Sequence, residues 1–210
     1  MAPYLGNFWE ETYSENFVPE TPSAFAEFVL ENFQKSEWVI EFGCGNGRDS
    51  FWFSQKGLKI YASDKSKIGI EKCRIKTQGN ESLSFSAVHY ANVSEIEEWI
   101  DGFPDKYEKA FVYLRFLLHD VDETTQIKIL DAVDRLSEYG VAGIALEFRT
   151  TEDEDRPKLN RPHYRRFIDV QDFERDLKKR GLQIRYKTAG LGLAVHLTED
   201  AYVARYILGS

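Results

Sequence analysis

Three alternating glycines near residue 45 form the part of the chain best suited to hold a cofactor. Gly43, Gly45 and Gly47 follow an apolar strand-like run and precede a predicted helix. Glycine has no Cβ, so such a loop turns sharply and offers the backbone N–H groups of the helix N-terminus to a ligand. A dinucleotide loop needs G-x-G-x-x-G, whereas here the acid Glu41 precedes G-x-G-x-G. The alternative is an ordinary glycine-rich turn between a strand and a helix.

The order acid-x-Gly-x-Gly-x-Gly resembles the first motif of class I S-adenosylmethionine-dependent methyltransferases. The resemblance implies S-adenosylmethionine as cofactor and S-adenosylhomocysteine as product. A cofactor that carries an ammonium and a sulfonium gives the carboxylate of Glu41 an electrostatic reason to lie beside it. We assign the cofactor site to Trp9, Tyr13, Glu41, Gly43, Cys44, Gly45, Arg48, Asp64, Lys65, Asn92, Val93 and Leu114.

Two polar residues after later strands extend this site. Asp64 stands about 20 residues beyond the glycine loop, where a carboxylate accepts hydrogen bonds from ribose hydroxyls, although Asp also suits a helix N-cap. Asn92 follows the third predicted strand, where related methyltransferases usually have an acid that binds the adenine amino group. Its amide oxygen can accept that bond, but Asn is also a common turn or cap residue.

The fourth strand ends close to Arg115 and His119, where cofactor and methyl acceptor are expected to meet. The fifth ends at Arg149 and leads into a long irregular segment, 150–167, and loops of this length are often functional. Residues 156–166 hold five Lys or Arg side chains and no acid. We predict that they bind an anionic acceptor, and the alternative is that they pair with the acids at 152–155 on a solvated face. The predicted acceptor-side residues are Arg115, His119, Arg149, His163, Tyr164, Arg165 and Arg166.

The N-terminal stretch 8–13 is aromatic and has no clear structural period. It could form a lid, since aromatic faces attract cations such as a sulfonium by about 1 kcal/mol, or it could simply dock on the core.

Strand-like and helical patterns alternate through the chain, and the strands and helices that they predict must position these residues. We predict strands at 37–42, 58–63, 83–88, 108–114 and 141–148, with helices between them, an amphipathic helix over 22–33 and another over 170–179. This rhythm favours a Rossmann-like, doubly wound α/β sheet, mostly parallel, closed by an antiparallel hairpin formed by 183–187 and 201–207. We expect one domain over 1–210, with 1–35 as an N-terminal lid and helix and 150–167 as an acceptor-side loop.

Charge and cysteine content limit the classes of binding partner that the chain suits. A net charge of −8 over 210 residues argues against nucleic acid or an anionic membrane as the main partner. Cys44 and Cys73 form neither a disulfide framework nor a metal motif, which favours a reducing cytoplasm and no metal. We see no targeting segment and no membrane-spanning run, and the oligomeric state stays open.

A narrower resemblance rests on five motifs together, at positions 22–29, 41–50, 114–119, 147–150 and 163–169. They resemble bacterial methyltransferases of surface-polysaccharide pathways, including the methyltransferase domain that caps O-antigen chains and enzymes that methylate phosphate or phosphoramidate groups of capsules. Such enzymes are often named by analogy with tellurite-resistance methyltransferases, and that name does not identify the acceptor. No kinase signature follows in this chain.

The sequence therefore predicts methyl transfer from S-adenosylmethionine to an anionic oxygen of a small-molecule or glycan-linked acceptor. A phosphate monoester is already ionised near pH 7, so this reaction needs no general base. The alternatives are a neutral hydroxyl or amine acceptor with His119 or His163 as general base, a cofactor-binding module without turnover, and a nicotinamide dehydrogenase.

Overall fold

A seven-stranded sheet forms the centre of the computed structural model, which describes residues 8–15, 21–33, 35–159 and 163–209. The first five strands are parallel, and the last is antiparallel to both of its neighbours. The predicted parallel sheet with a C-terminal hairpin is confirmed. The strands are β1 (Trp38–Phe42), β2 (Lys59–Asp64), β3 (Leu83–Ala87), β4 (Ala110–Arg115), β5 (Gly143–Arg149), β6 (Gln183–His196) and β7 (Glu199–Gly209), in the order β3-β2-β1-β4-β5-β7-β6.

Helices cover both faces of this sheet, because successive side chains of a strand point to opposite faces and both sets here are apolar. Val39 of β1 joins one core with Phe25 and Phe53, whereas Ile40 joins the other with Trp99. The helices are α1 (Phe8–Glu15), α2 (Ala24–Asn32), α3 (Arg48–Gln55), α4 (Lys67–Thr77), α5 (Val93–Asp101), α6 (Glu123–Glu138) and α7 (Val170–Lys179).

The C-terminal hairpin is longer than predicted. The first strand of the hairpin was predicted over 183–187, but β6 continues to His196 and the turn lies at Leu197, where φ is 53°. A register shift between Gly190 and Ala194 absorbs the glycine segment as a bulge, with Gly192 at φ 76°. Since Val203 pairs with Arg149, the hairpin tip extends beyond the carboxyl end of β5 and reaches the edge where the site is expected.

The two predicted loop regions are described only in part. Residues 1–7, 16–20 and 34 of the predicted lid and helix, and residues 160–162 of the acceptor-side loop with Arg161 among them, lie outside the described residues. The aromatic stretch forms α1, a helix that its lack of periodicity did not predict. None of the described helices has the length and apolar character needed to cross a membrane. Within the same residues no group of three or more His, Cys, Asp or Glu side chains is placed to hold a metal ion.

Candidate active site

A cavity of about 700 Å³ lies where the carboxyl ends of β1, β2, β4 and β5 meet, between α1 and the tip of the β6–β7 hairpin. Its size is within the range of small-molecule sites. Most of the predicted cofactor and acceptor residues line it together. These are Trp9, Tyr13, Glu41, Gly43, Cys44, Gly45, Arg48, Asp64, Lys65, Arg115, His119, Arg149, His163 and Arg165.

The glycine loop at the floor of the cavity is held by Asp64. Gly45 adopts a left-handed φ of 58°, and its N–H donates to Asp64 Oδ2 at 2.8 Å. Asp64 Oδ1 accepts from the Ser66 N–H at 2.8 Å, so this carboxylate also organises the entry to α4. A Cβ at residue 45 would lie 2.5 Å from the Tyr13 hydroxyl. The close approach of Tyr13 therefore requires glycine at this position.

Glu41 is a buried carboxyl group without a cationic partner. Its side chain accepts a 2.5 Å hydrogen bond from Ser50 Oγ, and no ion pair joins it to any described residue. Burial, reinforced by the charge of Asp49, raises the pKa of Glu41 from 4.5 to about 8. A buried carboxyl on a cavity wall is stabilised in its charged form by a nearby cation. This end of the cavity therefore suits a ligand with a positive charge, as the ammonium of S-adenosylmethionine would supply.

The neighbouring acid, Asp49, is fully satisfied. It accepts from the Ser23 N–H at 2.8 Å, from the Ser23 hydroxyl at 2.7 Å and from the Tyr113 hydroxyl at 2.7 Å, and it pairs with Arg48 at 3.0 Å. Although burial alone would raise it, the guanidinium of Arg48 and these donors lower the pKa of Asp49 to about 2. Asp49 thus ties the N-terminus of α2 to α3 and fixes Arg48 at the cavity wall.

Helix α1 covers the cavity and touches both of its ends. Glu10 accepts from Ser66 Oγ at 2.7 Å and from the Ile68 N–H at 3.0 Å, so it caps α4 from outside that helix. The Trp9 ring lies 5.4 Å from the Tyr13 ring above the glycine loop. Phe8 stacks on His163 at a centroid distance of 4.0 Å. The aromatic stretch has the position of a lid over the cavity.

The opposite end of the cavity is rich in arginine. Arg149 is buried and pairs with Asp153 at 2.6 Å and with Glu199 at 2.5 Å. Arg115 pairs with Glu147 at 2.8 Å. The Nε atom of Arg149 is buried and has no hydrogen-bond partner within the described part of the chain.

Phe116 separates the Arg115 and Arg149 guanidinium groups. These lie 4.1 Å and 5.3 Å from the centre of its ring. The residue has a φ of 57°, a strained conformation for a non-glycine residue of the kind that clusters at active sites and ligand-binding segments.

Arg165 is the cation of this end that the protein compensates least. No acidic side chain of the described residues lies within 4.0 Å of it, and its side-chain hydrogen bond joins Nη2 to His163 Nε2 at 3.1 Å. The Arg165 Nε atom is buried, and none of the described residues forms a hydrogen bond with it. Burial and the nearby charge of Arg149 lower the pKa of Arg165. A cation in this position favours an anionic ligand.

His119 lies at the same end as a neutral side chain. Burial lowers the pKa of His119 from 6.5 to about 3. Its Nδ1 accepts the Arg149 N–H at 3.2 Å, which assigns the proton to Nε2. A base needs a free nitrogen lone pair, so this arrangement argues against proton abstraction by His119.

Five predicted residues lie off the cavity wall. Asn92 instead caps α5, with its side chain accepting from the Ser94 N–H at 3.2 Å, and Val93 is exposed as the first residue of that helix. Leu114 is buried in the core of the sheet. His163 and Arg165 line the cavity, whereas Tyr164 and Arg166 do not.

Arg166 contacts α6 instead, through the Gln126 side chain at 3.3 Å. The loop cations Arg156 and Lys158 lie near Asp153, at 3.9 Å and 3.2 Å, so local ion pairing accounts for both.

Several wall residues were not predicted as site residues. Glu199 and His196 come from the hairpin tip, and their approach depends on the bulge that lengthens it. Phe116 has no sequence signal, because aromatic residues rarely adopt positive φ. The further unpredicted wall residues include Ser23, Asp49, Tyr90 and Asp120.

Comparison with known proteins supports the assignment as a S-adenosylmethionine-dependent methyltransferase. The family model described as tellurite resistance protein TehB matches residues 13–137, which is 125 of 210 residues. No curated protein matches the chain. A S-adenosylmethionine-dependent methyltransferase from Anabaena variabilis is similar in structure, with a TM-score of 0.62 and 17% identity over 95% of this chain and 91% of that one.

Two further solved structures show the same fold. Magnesium protoporphyrin IX methyltransferase from Synechocystis, solved with its cofactor bound, has a TM-score of 0.58 and 15% identity, covering 98% of this chain and 85% of that one. The glycopeptide N-methyltransferase MtfA has a TM-score of 0.63 and 14% identity, covering 89% and 95%. At such identities these structures establish the fold and leave the acceptor open. The chain belongs to the tellurite resistance protein TehB family and is a S-adenosylmethionine-dependent methyltransferase of the class I fold.

Proposed function

We propose that this methyltransferase acts on an anionic oxygen, that of a phosphate or phosphoramidate group on a surface-polysaccharide precursor or a small metabolite. The observation that carries the proposal is Arg165, a partly buried cation on the cavity wall with no acid of the described chain within 4.0 Å. Glu41 gives the cavity an uncompensated acid at its other end. The two ends therefore favour a positively charged methyl donor and a negatively charged acceptor.

The residues of the first end fit the cofactor. Glu41 suits its ammonium, Asp64 suits its ribose hydroxyls, and the rings of Trp9 and Tyr13 suit its sulfonium. When bound, S-adenosylmethionine supplies an electrophilic methyl group. In the charged state that this cofactor favours, Glu41 releases the proton that burial otherwise retains.

At the second end the arginines orient the acceptor. A new O–C bond forms as the S–C bond breaks, and a phosphate dianion becomes a methylated monoanion without any proton transfer. Arg165 and the Nε atom of Arg149 would hold the oxygens that do not react, because a cation on the attacking oxygen would reduce its nucleophilicity. The protein's task is then alignment and removal of water.

The rival reaction, on a neutral hydroxyl or amine, requires a histidine base. His119 uses its Nδ1 lone pair for the Arg149 N–H, and His163 Nε2 lies 3.1 Å from the Arg165 guanidinium, which can only donate. Both contacts weigh against histidine as a base here.

We place the reaction in the cytoplasm, because Cys44 and Cys73 are free thiols.

The test is the effect of Arg165→Ala on acceptor use. Loss of a donor that stabilises a reacting anion costs about 2 to 4 kcal/mol, so kcat/KM for a phosphorylated sugar should fall about 30- to 1000-fold, while affinity for S-adenosylmethionine stays unchanged. Arg175→Ala is the control, since Arg175 lies exposed on α7. Full activity of Arg165→Ala on phosphorylated acceptors would remove the proposal.

A further inference from the structure

Asp120 is a wall residue to which the proposed reaction gives no role. It ends the short helical turn Leu118–Asp120 that follows β4, and its side chain is 10% exposed. Its Oδ1 atom is buried and has no hydrogen-bond partner among the residues that the structure describes. A buried carboxylate oxygen without a donor is destabilising, so native proteins seldom contain one that no ligand or water satisfies.

The two nearest side chains do not supply a donor. His119 Nε2 lies 3.7 Å from Asp120 Oδ1, and His163 Nε2 lies 3.6 Å from it, and both distances exceed hydrogen-bond length. His163 Nε2 also accepts from Arg165 Nη2, which places the proton of a neutral His163 on Nδ1. Both rings border the same end of the cavity as Asp120.

Asp120 also stands beside the proposed anion site. Arg165 is hydrogen-bonded to His163, His163 Nε2 lies 3.6 Å from Asp120 Oδ1, and all three side chains line the same end of the cavity, so an acceptor held by Arg165 would lie on the same wall as the Asp120 carboxylate. An anion that brought no donor to this position would meet a negative charge without compensation. An acceptor with a donor next to its anionic group would satisfy the buried oxygen.

We propose that Asp120 selects the acceptor by accepting a hydrogen bond from a hydroxyl or N–H group that lies next to the anionic group. This inference rests on the proposed function and narrows its substrate class to hydroxylated phosphate monoesters, such as sugar or polyol phosphates, and phosphoramidates. Simple alkyl phosphates are disfavoured, because a site with a buried polar group rejects analogues that leave this group unpaired.

The test compares glycerol 3-phosphate with propyl phosphate, which share a carbon skeleton and differ in hydroxyl groups. Binding is measured by calorimetry on protein saturated with S-adenosylhomocysteine. A hydrogen bond to a charged acceptor corresponds to about 10- to 100-fold in affinity, so the wild-type protein should prefer glycerol 3-phosphate by this factor. Asp120→Asn should weaken glycerol 3-phosphate about 10-fold and tighten propyl phosphate, because the charge that opposes an unpaired anion is gone.

The opposite directions of these two shifts distinguish selection from structural damage. Asp120→Ala should abolish the preference altogether, and both variants should keep the wild-type affinity for S-adenosylhomocysteine if the fold is intact. Asp122→Asn is the matched control, because Asp122 caps α6 away from the cavity and Asn also serves as a cap.

Parallel weakening of both probes, equal wild-type affinity for both, or binding of neither would overturn the inference. Methyl transfer is measured separately on the same probes. If Asp120→Asn weakens glycerol 3-phosphate and tightens propyl phosphate but no anion is methylated, Asp120 remains a selective residue and the proposed function is wrong. Equal methylation of both probes would keep the proposed function and remove the role of Asp120.

Discussion

Replacing Glu41 by Gln is expected to stabilise the cofactor-free protein at alkaline pH. Burial raises the pKa of Glu41 from 4.5 to about 8. The folded protein therefore binds this proton more tightly than the unfolded chain does, so the stability it contributes is complete below pH 4.5 and is lost as the pH rises to about 8. One unit of pKa corresponds to about 1.36 kcal/mol. Between pH 5 and 8 the free energy of unfolding of the wild-type protein therefore falls by about 4 kcal/mol, and that of the neutral glutamine variant does not show this fall.

Urea unfolding of both proteins at pH 5, 7 and 9, without cofactor, measures this difference. Other groups titrate equally in the two proteins, so the change in the difference between their unfolding free energies reports Glu41. Between pH 5 and 9, the free energy of unfolding of the variant should rise by about 4 kcal/mol relative to that of the wild type. A difference that does not change with pH would refute the assignment of a protonated Glu41.

The same variant tests the link between Glu41 and the cofactor. An ammonium beside Glu41 favours the carboxylate, so wild-type protein should release about one proton on binding S-adenosylmethionine at neutral pH, and Glu41→Gln none. Calorimetry in buffers of different ionisation enthalpy counts these protons. Equal proton release by both proteins would show that the ammonium is not beside Glu41.

Three further substitutions test individual contacts. Asp49→Asn should lower the free energy of unfolding at neutral pH by about 2 kcal/mol, because Arg48 holds the pKa of Asp49 near 2. In thermal unfolding, the difference in stability between the variant and the wild type should shrink as the pH falls from 4 towards 2. A larger difference in acid would contradict this. Gly45→Ala should abolish cofactor binding in calorimetry, whereas Gly57→Ala, at a similarly positive φ but with open space around it, should only reduce stability. His119→Asn should leave the shape of the pH-rate profile unchanged from pH 5 to 9, because the low pKa of His119 keeps it neutral in that range, and a limb near pH 6.5 that disappears in this variant would restore the general-base mechanism.

Local patterns predicted which residues lie together at the end of the cavity that we assign to the cofactor. The glycine loop, Glu41 and Asp64 sit at strand ends that apolar runs define, and in a parallel sheet those ends meet at one edge. Asn92 shows the limit of this reasoning, because the spacing Asn92-x-x-Glu95 is also the signature of a capping box. In the structure Asn92 caps α5 by accepting from the Ser94 N–H at 3.2 Å, and its side-chain amide donates to Glu95 at 2.9 Å.

The arginine-rich end of the cavity was predictable in composition but not in detail. The segment 156–166 led us to expect an anion site, yet its composition does not specify which of its side chains face the cavity. His163 and Arg165 alternate there with Tyr164 and Arg166. Glu199 arrives through a hairpin whose length depends on a bulge, and bulges arise from strand pairing across the sheet rather than from local sequence.

The most direct test of the proposed reaction is methyl transfer itself. Purified protein is incubated with labelled S-adenosylmethionine and matched sets of phosphorylated, carboxylated and uncharged polyols, and the products are identified by mass spectrometry. We expect methyl esters on phosphate oxygens of the hydroxylated phosphates, formed by the wild-type protein and strongly reduced in Arg165→Ala. Methylation of the uncharged polyols at equal rate by both proteins would contradict the proposed reaction.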